Sequence, residues 1–227
     1  MHRSEMLRNV AALSERLASA AETDRSAAIR HCPGWTMTEL VGHVGMVQGF
    51  WSDVIEQGIT NPDDVRRPTG IPTEGDPVHW LREQSARLLR ELTEKADETP
   101  IWTWWASSQN VGFVVRRQLI EVTTHCWDAE EAVGRDVPIA VEVAVIGLEE
   151  FAEVMSRNLR SDHPAPPVVD LAPSDSRWRG SLFAATASAG DALSLGGTAS
   201  EMLLTLWGRG LAADPAIAEA LAAVDLS

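Results

Sequence analysis

The chain has 227 residues, 44% of them apolar, and a formal net charge of −14. This acidic balance, with no dense cluster of arginines, argues against nucleic acid or a membrane surface as a partner. The N-terminal segment lacks the apolar block of a signal peptide and no apolar run is long enough to cross a bilayer, so we expect a cytoplasmic protein whose two cysteines are thiols.

The first half of the chain predicts amphipathic helices. Apolar residues at helical spacing predict a first helix over residues 4–20. Thr36 and Glu39 have the spacing of a capping box, which predicts a second helix over about 37–57. A loop rich in proline, glycine and charge follows, and a third helix is predicted over about 77–95.

The second helix has one apolar stripe that includes a histidine. Its members recur at steps of three and four residues: Leu40, His43, Val44, Val47, Trp51, Val54 and Ile55. Residues at these steps share a helix face. We therefore expect His43 to be buried.

A fourth helix is predicted over 111–133, ended by Gly134 at the position of a left-handed C-cap. The face of this helix that is expected to point into the bundle carries hydrophilic residues where a bundle core needs apolar ones: Gln118, Glu121, His125 and Asp128. Buried carboxylates and imidazoles cost several kcal/mol unless they are paired or bind a metal. These four residues are therefore either a polar network with all hydrogen bonds satisfied or a set of metal ligands.

A divalent metal fits the second alternative. Glu121 and His125 are four residues apart and point the same way, and His43 on a facing helix would complete three nitrogen and oxygen ligands. Three protein ligands leave a fourth position open for chemistry. Asp128 is either a fourth ligand or the acceptor of the second imidazole N–H of His125, and we favour the acceptor role. Cys126, about a third of a turn away, is expected to be a packed thiol.

The sequence pattern changes after Gly134, from long helical segments to shorter ones. Residues 141–160 are predicted to be helical, followed by short strand-like segments in PAPPVVDLA, RWRGSLFAAT and DALSLGG and by another helix in GTASEMLLTLWGRG. The predicted fold class is α+β, mainly α. We expect an up-down four-helix bundle over residues 1–140 and a small α+β domain over 141–227.

Three segments resemble the mycothiol-dependent maleylpyruvate isomerase family of actinobacteria: HCPGWTMTELVGHVG, then WTWW with VGFVVRRQLIEVTTHCWDAEEAVG, then GTASEMLLTLWGR. The resemblance spans nearly the whole chain. It implies a DinB-like metal-binding bundle joined to a domain that resembles sterol carrier proteins. It also implies zinc as the metal and mycothiol as a thiol cofactor.

By motif position, the resemblance assigns His43, Glu121 and His125 as the metal ligands. It gives Arg209 the role of holding a substrate carboxylate, whereas a cation near a helix C-terminus is the structural alternative. Arg116 and Arg117 could also compensate a dianionic substrate, but we interpret both as solvated residues.

The implied reaction is a cis–trans isomerisation of a maleylpyruvate-like substrate, in which a metal-bound thiolate adds to the double bond and leaves after rotation. The family often has His and Arg at the positions of Ile120 and Cys126, so these departures leave the ligands intact but put the particular substrate in question. Two other hypotheses remain open. One is a hydrolase with a metal-bound water, and the other is a non-catalytic binding or stress-response module.

Overall fold

The computed structural model of the chain describes residues 1–66, 68, 75–187, 191–210 and 214–225. The predicted loop between the second and third helices is thus described only in part, because Arg67 and residues 69–74 lie outside these ranges. The chain divides into two units, Met1–Val137 and Pro138–Ser227. None of the helices within the described ranges has the length and apolar character needed to span a bilayer.

Four α-helices build the described part of the first unit. They are α1 (Arg3–Thr23), α2 (Met37–Glu56), α3 (Pro77–Glu94) and α4 (Val111–Ala132). α2 packs against α3 and α4, and α1 packs against the same two helices. The result is a four-helix bundle whose helix ends lie within one turn of the predicted ends.

Local signals in the sequence set these helix ends. The Glu39 carboxylate accepts a hydrogen bond from the Thr36 backbone N–H at 2.8 Å, which forms one half of the predicted capping box. Asp76 caps α3 by accepting from the Val78 N–H at 3.0 Å. Gly134 follows α4 with φ of +72°, a left-handed conformation that glycine adopts without strain.

The bundle core combines apolar packing with one polar link. A single cluster of buried apolar residues draws on all four helices, including Leu17, Leu40, Leu81 and Ala129. Gln48 of α2 crosses this interior, where its Nε2 donates to Ser14 Oγ at 3.0 Å and its Oε1 accepts from the Ser85 hydroxyl at 2.5 Å. The amide of Gln48 is therefore satisfied on both sides, as burial of a polar group requires.

The second unit contains three further helices and three short strands within the described residues. These are α5 (Val141–Glu153), β1 (Val169–Leu171), β2 (Gly180–Leu182), β3 (Leu193–Leu195), α6 (Ala199–Leu206) and α7 (Pro215–Ala222). β1 is the central strand, antiparallel to β2 and parallel to β3. Val169 and Leu171 face the core while Asp170 is exposed, which is the alternation of a sheet with one buried face.

The prediction for this unit needs two corrections. The helix predicted over 141–160 ends at Glu153 and is followed by a 3₁₀ turn over Met155–Arg157, because the last turn tightens. Helix α7 had no counterpart in the prediction. The three strands lie in the three segments predicted to be strand-like, and the fold class of α+β, mainly α, is confirmed.

Candidate metal site

His43, Glu121 and His125 converge on one point between α2 and α4. His43 Nε2 lies 3.1 Å from Glu121 Oε1, and His125 Nε2 lies 3.4 Å from the same oxygen. The two imidazole rings are nearly perpendicular, with centroids 5.1 Å apart. One donor atom from each residue lies within 4.8 Å of the other two. The structure thus brings together the three residues predicted to be metal ligands.

The spacing of these atoms fits a tetrahedral cation. Zinc bonds to imidazole nitrogen and carboxylate oxygen are about 2.0–2.2 Å long, which places neighbouring ligand atoms roughly 3.3 Å apart. The separations of 3.1 and 3.4 Å lie on either side of this value. Two histidines and one glutamate also form a ligand set that catalytic zinc sites use. The residues present therefore fit a zinc-like ion.

His43 is less buried than the apolar stripe predicts. Its side chain keeps 28% of its surface exposed, whereas Glu121 keeps 10% and His125 keeps 11%. Its ring contacts that of Trp35, at the end of the loop before α2, with the two ring centroids 5.0 Å apart. His43 therefore forms the more accessible side of the site.

Asp128 contacts the ring nitrogen of His125 that points away from Glu121. Its Oδ2 lies 3.1 Å from His125 Nδ1, and its side chain is fully buried. Burial lowers the pKa of His125, but the hydrogen bond with Asp128 and the contact with Glu121 raise it above its ordinary value. If His125 carries its proton on Nδ1 and donates it to Asp128, its Nε2 lone pair faces the Glu121 side, where a metal would bind.

Arg117 contacts the site, although its sequence position was interpreted as that of a solvated residue. Its Nη2 donates to Glu121 Oε2 at 2.7 Å, and its side chain is 14% exposed, so the interpretation of Arg117 as a solvated residue was wrong. Burial alone raises the pKa of Glu121, but hydrogen bonds with His125 and His43 and the charge of Arg117 hold that pKa well below its ordinary value. The spacing of four residues between Arg117 and Glu121 was a usable signal for this pair.

A second group of potential ligands in the described part of the chain consists of Cys32, His125 and Asp128. It shares His125 with the first group but lies on the opposite side of the ring, where Nδ1 meets Asp128. Cys32 belongs to the loop between α1 and α2, and no local sequence pattern links it to α4, so its approach to His125 was not predicted. This group would use the same Asp128 carboxylate that contacts His125 Nδ1.

Cys126 packs in the bundle core and takes no part in either group. Its exposed fraction is 1%, and it contacts the buried apolar cluster. Burial and the nearby charge of Glu130 raise the pKa of its thiol to about 12. Cys126 is a packed thiol, as the sequence predicts, and is not a nucleophile near neutral pH.

Arg209 lies in the second unit, just after α6. The helix ends in a Schellman motif, in which the Arg209 N–H donates to the Leu204 carbonyl at 2.7 Å and Gly208 has φ of +74°. The guanidinium Nη1 donates to the Trp207 carbonyl at 2.7 Å. Arg209 thus makes the contact expected of a cation at a helix C-terminus, and its role toward a substrate stays a prediction.

The sequence of the four-helix bundle matches a known protein family. Residues 7–130 match the family model described as the mycothiol maleylpyruvate isomerase N-terminal domain. The chain belongs to this family. The matched range contains all three converging residues, together with Asp128 and Arg117.

Two solved structures are similar to this member of the mycothiol maleylpyruvate isomerase family. One is a crystal structure of mycothiol-dependent maleylpyruvate isomerase and the other is of a histidine-to-alanine mutant of that enzyme. Each superposes with a TM-score of 0.65 at 14% sequence identity, covering 92% of this chain and 90% of the other. At this identity the likeness establishes the fold. No curated protein matches the sequence.

Ile120 and Cys126, the two positions at which the resemblance led us to expect a departure from the family, lie inside the bundle. Ile120 is fully buried and Cys126 is 1% exposed.

Proposed function

We propose that the protein is a metal-dependent isomerase that uses mycothiol as a thiol cofactor and acts on a small electrophilic substrate of the maleylpyruvate kind. The observation that carries this proposal is the convergence of His43, Glu121 and His125 in a chain of this family, with one nitrogen of each histidine at tetrahedral spacing from the Glu121 oxygen. We assign zinc as the metal because of this ligand set.

The bound cation would supply Lewis acidity, which lowers the pKa of a thiol at its open position and polarises a keto oxygen. The protein side chains have separate tasks around it. His43, His125 and Glu121 Oε1 would hold the ion, Asp128 keeps the Nδ1 proton on His125, and Arg117 neutralises the second oxygen of Glu121.

We assign to Arg209 the binding of a substrate carboxylate. Maleylpyruvate is a dianion, and a chain with a net charge of −14 repels it unless a local cation compensates. Arginine suits the task because its planar guanidinium can grip a carboxylate with two hydrogen bonds.

The test is an isomerase assay with the zinc-loaded protein, following the loss of maleylpyruvate with and without mycothiol. We expect turnover only when mycothiol is present, and loss of turnover in His43→Ala. The matched control is His79→Ala, because the His79 side chain is 72% exposed and lies outside the site. Hydrolysis of a thiol-free ester or amide panel at a rate independent of mycothiol would instead identify a hydrolase. Absence of both activities in the zinc-loaded protein would leave a non-catalytic module.

A further inference from the structure

Gln118 of α4 is a buried amide without a hydrogen-bond partner. It is 1% exposed, and neither its Nε2 nor its Oε1 forms a hydrogen bond with any part of the chain that the structure describes. Gln48, the other buried glutamine of the bundle, has partners at both atoms. Because buried amides normally have partners, the unmet amide of Gln118 needs an explanation.

The position of Gln118 supplies that explanation. It lies three residues before Glu121 and seven before His125, so on an ideal helix its side chain projects within about 20° of that of His125. Side chains of a helix lean toward its N-terminus, which sets the Gln118 amide about one turn along α4 from the carboxylate of Glu121. The unmet donor and acceptor thus belong to the helix face that carries the candidate metal ligands, about 4.5 Å along the helix axis from Glu121.

We propose that Gln118 binds an amide group of the thiol cofactor whose sulfur occupies the metal site. This inference rests on the proposed function. The Gln118 amide offers one acceptor and two donors, so a secondary amide, which has one N–H and one carbonyl, satisfies both of its atoms at once. A carboxylate would satisfy only the Nε2. Mycothiol is built on an N-acetylated cysteine, so its amides lie a few bonds from the sulfur.

Gln118 is a binding and positioning residue in this account. Its two hydrogen bonds would fix the direction from which the thiol enters, and they would favour amide-bearing thiols over simple alkyl thiols. Without ligand, the amide is a cost to the fold, because an apolar side chain of similar volume would fill the same space with no unmet polar atoms.

The test compares zinc-loaded wild type, Gln118→Met and the matched control Gln48→Met by calorimetric titration and thermal unfolding. In Gln118→Met we expect unchanged zinc content, a dissociation constant for mycothiol raised about tenfold, and a melting temperature without ligand no lower than that of wild type. In Gln48→Met we expect a lower melting temperature and unchanged mycothiol affinity. Gln118→Leu provides a second variant if the methionine disturbs folding.

A pair of simple thiols makes the readout specific. N-acetylcysteamine and 1-pentanethiol have the same chain length, and only the first carries an amide. Wild type should bind the amide thiol more tightly, and Gln118→Met should lose that preference. Equal affinity of wild type and Gln118→Met for mycothiol, or a melting temperature of Gln118→Met that falls as far as that of Gln48→Met, would overturn the inference while leaving the proposed function intact. Failure of zinc-loaded wild type to bind any thiol would overturn the proposed function, and the inference with it.

Discussion

Replacing Asp128 with asparagine should weaken metal binding without disturbing the bundle. The Asp128 carboxylate lies 3.1 Å from His125 Nδ1 and its side chain is fully buried, so water has no direct access to replace it. An asparagine of the same shape has two orientations. If its oxygen faces Nδ1, the hydrogen bond loses its charge; if its NH₂ group faces Nδ1, the imidazole proton moves to Nε2 and blocks the lone pair that would bind the metal.

Both orientations lower the affinity of the site for zinc. Loss of such an outer partner typically costs 10- to 100-fold in metal affinity, or about 1.4–2.7 kcal/mol, and the complete burial of Asp128 favours the upper part of this range. The assay is competition for zinc against a chromophoric chelator at fixed pH. Glu130→Gln is the matched control, because Glu130 is a buried acid of the same helix that pairs with Arg16 and not with the site. An unchanged zinc affinity in Asp128→Asn would refute the role of this carboxylate.

Three further predictions concern packing, thiol reactivity and substrate binding. Gly45→Ala should destabilise the protein by about 1–3 kcal/mol, because the new Cβ would lie 2.6 Å from the Trp80 ring. Gly49→Ala should be neutral or stabilising, because only the flexible end of a glutamine side chain approaches the new Cβ. Equal melting temperatures for the two variants would contradict this prediction. Iodoacetamide at pH 8 should leave Cys126 unmodified in the native protein and modify it in denaturant, because the pKa of the buried thiol is about 12. Mass spectrometry measures the modification, and alkylation of Cys126 in the native protein would contradict this prediction. Arg209→Gln should lower kcat/KM for maleylpyruvate at least about tenfold with unchanged zinc content, and full activity would confine Arg209 to its bond with Trp207.

The helical framework could be predicted because its signals are local. The capping box of Thr36 and Glu39, the proline after Asp76 and the glycine after α4 each act within one turn of the chain, and each marks an observed helix end. The second unit was harder to predict. Its strands have only three residues each, and the turn after α5 has no comparable stop signal in the sequence.

The contacts of the candidate site also divide into those that the sequence could predict and those that it could not. Helical periodicity placed Glu121 and His125 on one face, and their convergence with His43 follows from the packing of α2 on α4. The ring of Trp35 against His43 and the approach of Cys32 to His125 depend on the course of a loop, which periodicity does not describe. Arg117 was misinterpreted because its position near the start of α4 was read as solvent exposure, although its spacing from Glu121 also fits an ion pair.

The orphaned amide of Gln118 shows a different limit of sequence reasoning. The sequence places it on the inward line of α4, but a glutamine on such a line can be fully bonded, as Gln48 is. Only the surrounding side chains reveal that one amide is satisfied and the other is not. The ligand contact proposed for Gln118 follows from those surroundings and not from the sequence pattern.

The most direct test of whether His43, Glu121 and His125 bind one divalent cation is the zinc content of the protein after equilibrium dialysis against zinc. We expect about one zinc per chain in wild type and in Cys32→Ser, and little zinc in His43→Ala or Glu121→Gln. Cys32→Ser separates the two candidate groups, because Cys32 belongs only to the group that it forms with His125 and Asp128. Wild type without zinc, or zinc that is lost in Cys32→Ser but retained in His43→Ala, would contradict the account.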